Sequence, residues 1–163
     1  MAFFDDLNTN IKIIEGILLA DDDFCNLLYY NHATPLSATP LPDPKILRMQ
    51  NLCPLPKIPD AETEKLCMVN YYFYSSKPYN NAGFREVELC FDVICHLDLW
   101  PIKNALRPYS VLNQIDELFN HQLVEGLSGK NIRFKSLQPM RYSDKYYGYH
   151  LIYELTNNSW VGC

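Results

Sequence analysis

Six cysteines, at positions 25, 53, 67, 90, 95 and 163, and four histidines are the side chains from which site chemistry could be built. A thiol nucleophile needs a histidine within hydrogen-bond reach. The candidates are Cys90 and Cys95 with His96 and His150. Cys95 and His96 are neighbours in a strand-like run, so they point to opposite faces and cannot form a dyad with each other. That leaves His96 with Cys90, or Cys95 with His150. For a metal, His96 with Asp98 or Asp92 offers two ligands on one strand face, and His150 could come alongside from another strand. Imidazole and carboxylate on the outer face of an amphipathic strand are also ordinary surface composition. The run Asp21, Asp22, Asp23 lacks the glycine and terminal glutamate of a calcium loop and reads as a helix cap. Glu86 and Glu88 share a strand face and read as edge or surface charges. With six glycines and no GxGxxG or GxxxxGK[ST] string, a phosphate cradle is unsupported. The sequence therefore presents no catalytic, cofactor-binding or metal motif, and the expectation is a protein that is not an enzyme and takes no cofactor.

The elements that would position these residues follow from apolar spacing. Phe4, Leu7, Ile11, Ile14, Ile17 and Leu18 form one helical stripe between about Phe3 and Ala20. Asp21 to Asp23 then cap a short second helix with Phe24, Leu27 and Leu28 on one face. Seven of the eleven prolines fall between Pro35 and Pro59, which excludes continuous helix or central strand there. Leu36, Leu41, Ile46, Leu47, Met49, Leu52, Leu55 and Ile58 anchor that stretch, so residues 31–65 read as an ordered arm lying on their own domain or on a neighbour. Leu66 to Ser75 reads as a strand, and Ser75 to Gly83 as a connection. Arg85 to Leu99 is a long alternating strand. Val87, Leu89, Phe91, Val93, Cys95 and Leu97 form its apolar row, and Glu86, Glu88, Cys90, Asp92, Ile94, His96 and Asp98 a largely polar one. Ser110 is a candidate N-cap for a helix carrying Val111, Leu112, Ile115, Leu118, Phe119 and Gln122, ending near Gly126 or Gly129. Asn131 to Leu137 and Tyr146 to Leu155 close the chain as an antiparallel pair. The whole reads as a single α+β domain spanning 1–163: a mainly antiparallel sheet of four or more strands packed against two main helices, with the proline-rich arm attached.

Bulk properties narrow the function classes. The net charge of -5 disfavours nonspecific binding to a phosphate backbone. The late basic residues Arg133, Lys135, Arg141 and Lys145 read as the solvated face of a hairpin. No apolar run approaches the roughly 18 residues of a membrane span, so no membrane partner is expected. The N-terminus MAFFDDLNTN lacks the basic start and apolar core of a signal peptide, and with no CxxC pair the cysteines are expected to be reduced. Twelve tyrosines and eight phenylalanines favour half-buried sheet faces and protein interfaces. Tyr72, Tyr74, Tyr147 and Tyr149 are the candidate interface anchors, on strands whose edges, Leu66 to Ser75 or Tyr146 to Leu155, a neighbour could use.

The run Phe24-Cys25-Asn26-Leu27-Leu28-Tyr29-Tyr30 followed by Pro35-Leu36 resembles the start of many neck and tail-completion proteins of tailed bacteriophages. The long strand Arg85 to Leu99 follows the element order of their tail-terminator family. So do Arg107-Pro108-Tyr109 ahead of Ile115-Asp116-Glu117-Leu118-Phe119, and the closing Tyr147-Gly148-Tyr149-His150-Leu151. The resemblance implies a virion structural protein, assembled in the host cytoplasm into a ring that is usually a hexamer. Such a ring caps the tail tube and joins it to the neck or connector, with possible sheath contact, and passes DNA without specific binding. The arm at Pro35 to Pro59 departs from compact members of that family and is expected to touch an adjoining subunit or ring. The alternatives are another neck component, a stopper or adaptor, a small cytosolic enzyme built on cysteine and histidine, and a monomeric peptide-binding module.

Overall fold

The computed structural model describes residues 3–60, 65–78, 85–124, 127 and 132–157. Ile14 and Leu18 sit one turn apart on the buried face of helix α1 (Phe3–Leu19), as the spacing requires. Helix α2 (Asp22–Tyr29) starts where the acidic run predicts: the Asp21 carboxylate accepts from the Phe24 amide at 2.7 Å. Helix α3 (Arg107–Phe119) buries Val111, Leu112, Ile115 and Phe119. It differs from expectation at both ends. Ser110 does not cap it; the helix begins three residues earlier, with Pro108 in its first turn, where a missing amide hydrogen costs nothing. It stops at Phe119, well before the glycines, because Asn120 is extended and His121 takes a left-handed φ of 58° that turns its amide onto the Ile132 carbonyl.

Strands β1 (Leu52–Cys53), β2 (Cys67–Pro78), β3 (Arg85–His96), β6 (Arg133–Arg141) and β7 (Tyr146–Asn157) form one sheet in the order β1-β2-β3-β7-β6. Every pairing is antiparallel except the short β1–β2 ladder. A separate small hairpin, β4 (Pro101–Ile102) with β5 (Ala105–Leu106), leads into α3. The fold is thus α+β, with a mainly antiparallel sheet and three α-helices. No helix among the described residues is long and apolar enough to cross a membrane.

Three placements depart from the sequence reading. The long strand ends at His96, because Leu97–Leu99 tighten into a 3₁₀ turn that leaves Leu97 exposed. Tyr146–Leu155 is not an edge: β7 lies between β3 and β6, and β6 takes the border position. The polar row of β3 is not a surface either. Its Glu88, Cys90, Asp92, Ile94 and His96 are all buried, as is the core row Val87, Leu89, Phe91, Val93 and Cys95. Helices cover the core row, whereas Cys53, Met68, Ile94 and Tyr146 make a second small cluster on the opposite face, with Leu66 and Tyr142 packed on it.

The arm reaches both faces, with Cys53 in the second cluster. Leu47 and Leu52 enter the main core, and β1 adds to the outer side of β2. Asn51 fastens the join, donating to the carbonyls of Leu28 at 3.0 Å and Cys67 at 2.8 Å, while its own carbonyl receives the Val69 amide. Further along, the Lys57 carbonyl accepts from Asn70 Nδ2 at 2.7 Å. The prolines exclude longer helix here, and Pro35 and Pro44 instead open two short 3₁₀ turns, Pro35–Ser37 and Pro44–Leu47, whose backbone groups bond locally.

Candidate functional site

Four strands bring one cross-sheet row together on the second face: Asn70 of β2 lies opposite Asp92 of β3, which lies opposite His150 of β7 and then Gln138 of β6. Cys90, two residues from Asp92, points to the same side. Its thiol sulfur is 3.2 Å from His150 Nδ1 and 3.6 Å from Asp92 Oδ1, and His150 Nδ1 is 2.6 Å from the same carboxylate oxygen. Tyr72 donates to the other carboxylate oxygen at 2.8 Å, and the Tyr74 ring stands edge-on to the imidazole. Asp92 and His150 line a cleft of about 430 Å³ walled by Pro56 and Ile58 of the arm and by Met140 and Tyr142, and Cys90 lies buried behind them.

The histidine partners therefore differ from both proposed dyads. Cys90 meets His150, while Cys95 lies on the core face opposite Cys67 in the register. His96 serves structure: its Nδ1 accepts the Asp98 amide at 3.2 Å and caps the 3₁₀ turn, and its ring stands edge-on to Tyr146. The metal pairing read from His96 with Asp92 is likewise replaced by Asp92 with His150.

A Cys-His-Asp set invites comparison with a catalytic triad, and the geometry argues against one. A triad uses the two imidazole nitrogens separately, one toward the nucleophile and one toward the orienting carboxylate. Here thiol and carboxylate converge on the same nitrogen, and Nε2 is farther from the sulfur, at 3.7 Å. The thiol is also fully buried, and its pKa is pushed up by burial and then by the Asp92 charge, which holds it in the unreactive protonated form. Burial likewise raises the Cys25 thiol to about 12 and lifts Cys53. Peptide-level mass spectrometry after iodoacetamide at pH 7.5 should find Cys25, Cys53, Cys67, Cys90 and Cys95 modified at least ~100-fold more slowly than the same residues in the denatured chain. Fast labelling of Cys90 in the native state would restore the enzyme reading.

The other acidic pair also changes role. Glu88 is buried, accepts from Ser75 Oγ at 2.7 Å and pairs with Lys135. Those hydrogen bonds hold its carboxyl below the usual range. Lys135 is thereby engaged, as is Arg141 by Asp144, so two of the four late basic side chains are neutralised.

The four interface tyrosines divide between the faces. Tyr72 and Tyr74 belong to the Cys90–Asp92–His150 side, Tyr74 more than half exposed. Tyr147 and Tyr149 sit opposite the core-row residues Cys95 and Val93. Tyr149 packs near Trp100 and donates to the Tyr109 hydroxyl at 2.5 Å, which with burial raises its pKa to about 12. The residue that sequence reasoning missed is Asn70. It is 1% exposed and lines the same cleft, and its Oδ1 has no hydrogen-bond partner among the described residues. No local signal marks it, since only the strand register sets it beside Asp92.

A family model, YomW, matches residues 21–155, from the cap of α2 nearly to the end of β7. No curated protein matches the sequence.

Proposed function

The chain belongs to the YomW family, a phage-associated family of prophage origin, and from that premise we propose that it is a virion structural protein. On this reading it forms a ring at the head-to-tail joint, capping the tail tube and connecting it to the neck, and has no catalytic role. The observation that carries the reading is a pair of complementary open sheet edges. Among the described residues, β6 has a neighbour on one side only, and β2 meets β1 only at Val69 and Asn70, so its stretch from Tyr71 to Pro78 is open on the outer side. These two edges lie at opposite ends of the sheet and run in opposite directions, because β2, β3, β7 and β6 alternate. The β6 edge of one copy can therefore continue as an antiparallel partner of β2 in the next. Such a contact is head-to-tail, and head-to-tail contacts close into rings when the rotation per copy allows.

Side chains support the same surface. Phe134, Leu137 and Met140 of β6 are 40–50% exposed, and Phe134 and Leu137 border a cleft of about 650 Å³ against α3 that also holds Tyr109 and Tyr153. Pro139, Arg133 and Lys135 on the same strand would discourage indiscriminate pairing while leaving a specific partner acceptable. The arm packs on its own domain through Asn51 and Leu52, and it leaves Leu36, Ile46, Met49, Leu55 and Ile58 exposed.

Negative-stain images of purified tail tubes incubated with the protein test the reading. One cap of ring-like density per tube end is the expected result, reduced at least ~10-fold by Leu137→Lys with Met140→Lys, which places two charges at exposed positions of the edge strand. Tubes whose ends stay bare at saturating protein would defeat it.

A further inference from the structure

The three groups Cys90, Asp92 and His150 have no task in the edge-to-edge reading, yet they converge. Their ligand atoms form a triangle with sides of 3.2, 2.6 and 3.6 Å on a buried face, and Asp92 and His150 also line the cleft. We propose that Cys90 Sγ, His150 Nδ1 and Asp92 Oδ1 bind a single zinc-class divalent cation, with the fourth position open to the cleft.

The donor set is chemically suited to such an ion. Thiolate, imidazole and carboxylate together favour a borderline-soft cation over calcium or magnesium, which take oxygen ligands. Zinc bonds of about 2.3 Å to sulfur and 2.0–2.1 Å to nitrogen and oxygen, in a tetrahedron, set ligand separations of roughly 3.3–3.6 Å. The sulfur–oxygen side already has that length and the sulfur–nitrogen side nearly so. The His150–Asp92 side must open by roughly 0.7 Å on that geometry, and His150, whose side chain is 16% exposed, can swing toward the cleft. Two further features fit. Tyr72 donates to Asp92 Oδ2, which orients the carboxylate with Oδ1 toward the site in the manner of an outer-shell partner. Asn70, next to Asp92 in register and lining the same cleft, carries a buried Oδ1 without a hydrogen-bond partner among the described residues, and a water on the open metal position would supply a donor.

The Cys90 thiol gives its proton to solvent when the sulfur–metal bond forms, and His150 Nδ1 carries no proton when it serves as the ligand.

Titration of the full chain with cobalt(II) reads this directly. The expected result is one cobalt per chain, a thiolate-to-cobalt charge-transfer band, visible absorption of tetrahedral intensity, and displacement of both by zinc. Saturating zinc should also raise the unfolding midpoint by roughly 5–10 °C once it exceeds its dissociation constant about a hundredfold. Cys90→Ser should abolish the charge-transfer band, and Cys53→Ser, a buried thiol off the site, should leave it. His150→Gln, at a partly exposed position that tolerates exchange, should weaken binding at least ~100-fold and serves if Cys90→Ser fails to fold. Absence of the band, or a band that survives both Cys90→Ser and His150→Gln, overturns the proposal; neither outcome bears on ring formation.

Discussion

Replacing Arg107 with alanine is expected to cost about 4 kcal/mol of folding stability, a large part of the 5–15 kcal/mol that a domain of this size typically has. Arg107 is 1% exposed, and its guanidinium donates to four carbonyls: Leu99 at 2.9 Å, Leu27 at 2.6 Å, Tyr30 at 2.8 Å and His32 at 2.9 Å. Leu27 lies in the last turn of α2, where carbonyls have no partner within the helix and the helix dipole presents its negative end. One side chain at the start of α3 thereby ties together the end of α2, the segment after it and the 3₁₀ turn that follows β3. Alanine strands these acceptors around a cavity. Lysine keeps the charge but not the planar fork, so Arg107→Lys should recover less than half of the loss. Urea unfolding at constant slope measures both values. A loss below about 1 kcal/mol for alanine would mean that water meets these carbonyls equally well.

The second large effect is expected at Gly148. A Cβ built there would lie 1.7 Å from the Val93 carbonyl oxygen and 2.8 Å from the Val93 carbonyl carbon, both backbone atoms of the adjoining strand. Neither can rotate away, so β7 would have to leave β3 around the Ile94–Gly148 pair, two residues from the Asp92–His150 pair. Gly148→Ala should therefore destabilise the chain by about 3 kcal/mol or more, with loss of soluble yield. Gly16, inside α1, makes the contrast. A Cβ there meets nothing within 4 Å, and Gly16→Ala should stabilise by about 0.5–1 kcal/mol through helix propensity alone. Thermal unfolding of the two alanine variants side by side gives the comparison, and equal effects would show that the β3–β7 contact yields more easily than its geometry indicates.

What the sequence revealed was mostly what short-range pattern determines. The Asp21 cap, the inner faces of α1 and α3, the alternation of β3 and the antiparallel closing pair all depend on neighbours within a few positions. The errors came from long-range relations. Alternating polarity in β3 predicts a solvated row only if nothing covers it, and the cover comes from Tyr72, Lys135, Tyr146 and His150 of the adjoining strands and from the arm, which Asn51 and Asn70 fasten. The Cys90–His150 contact spans 60 residues of sequence and requires the order β3-β7, with the register that sets Asp92 opposite His150. Arg107 read as the lead-in to a helix, because nothing local says that a guanidinium will be buried among carbonyls some 75 to 80 residues earlier. The same limitation placed the free edge on β7 when the topology puts it on β6.

That edge is where the functional account is most exposed. Native mass spectrometry of the full chain over a range of concentrations, alone and bound to isolated tail tubes, weighs the oligomer directly. The account predicts a closed oligomer of one defined copy number that falls to monomer when Leu137 and Met140 are both changed to lysine, with the folded state unaltered. A chain that remains monomeric in solution and on the tubes, or a closed oligomer indifferent to those two charges, would contradict it.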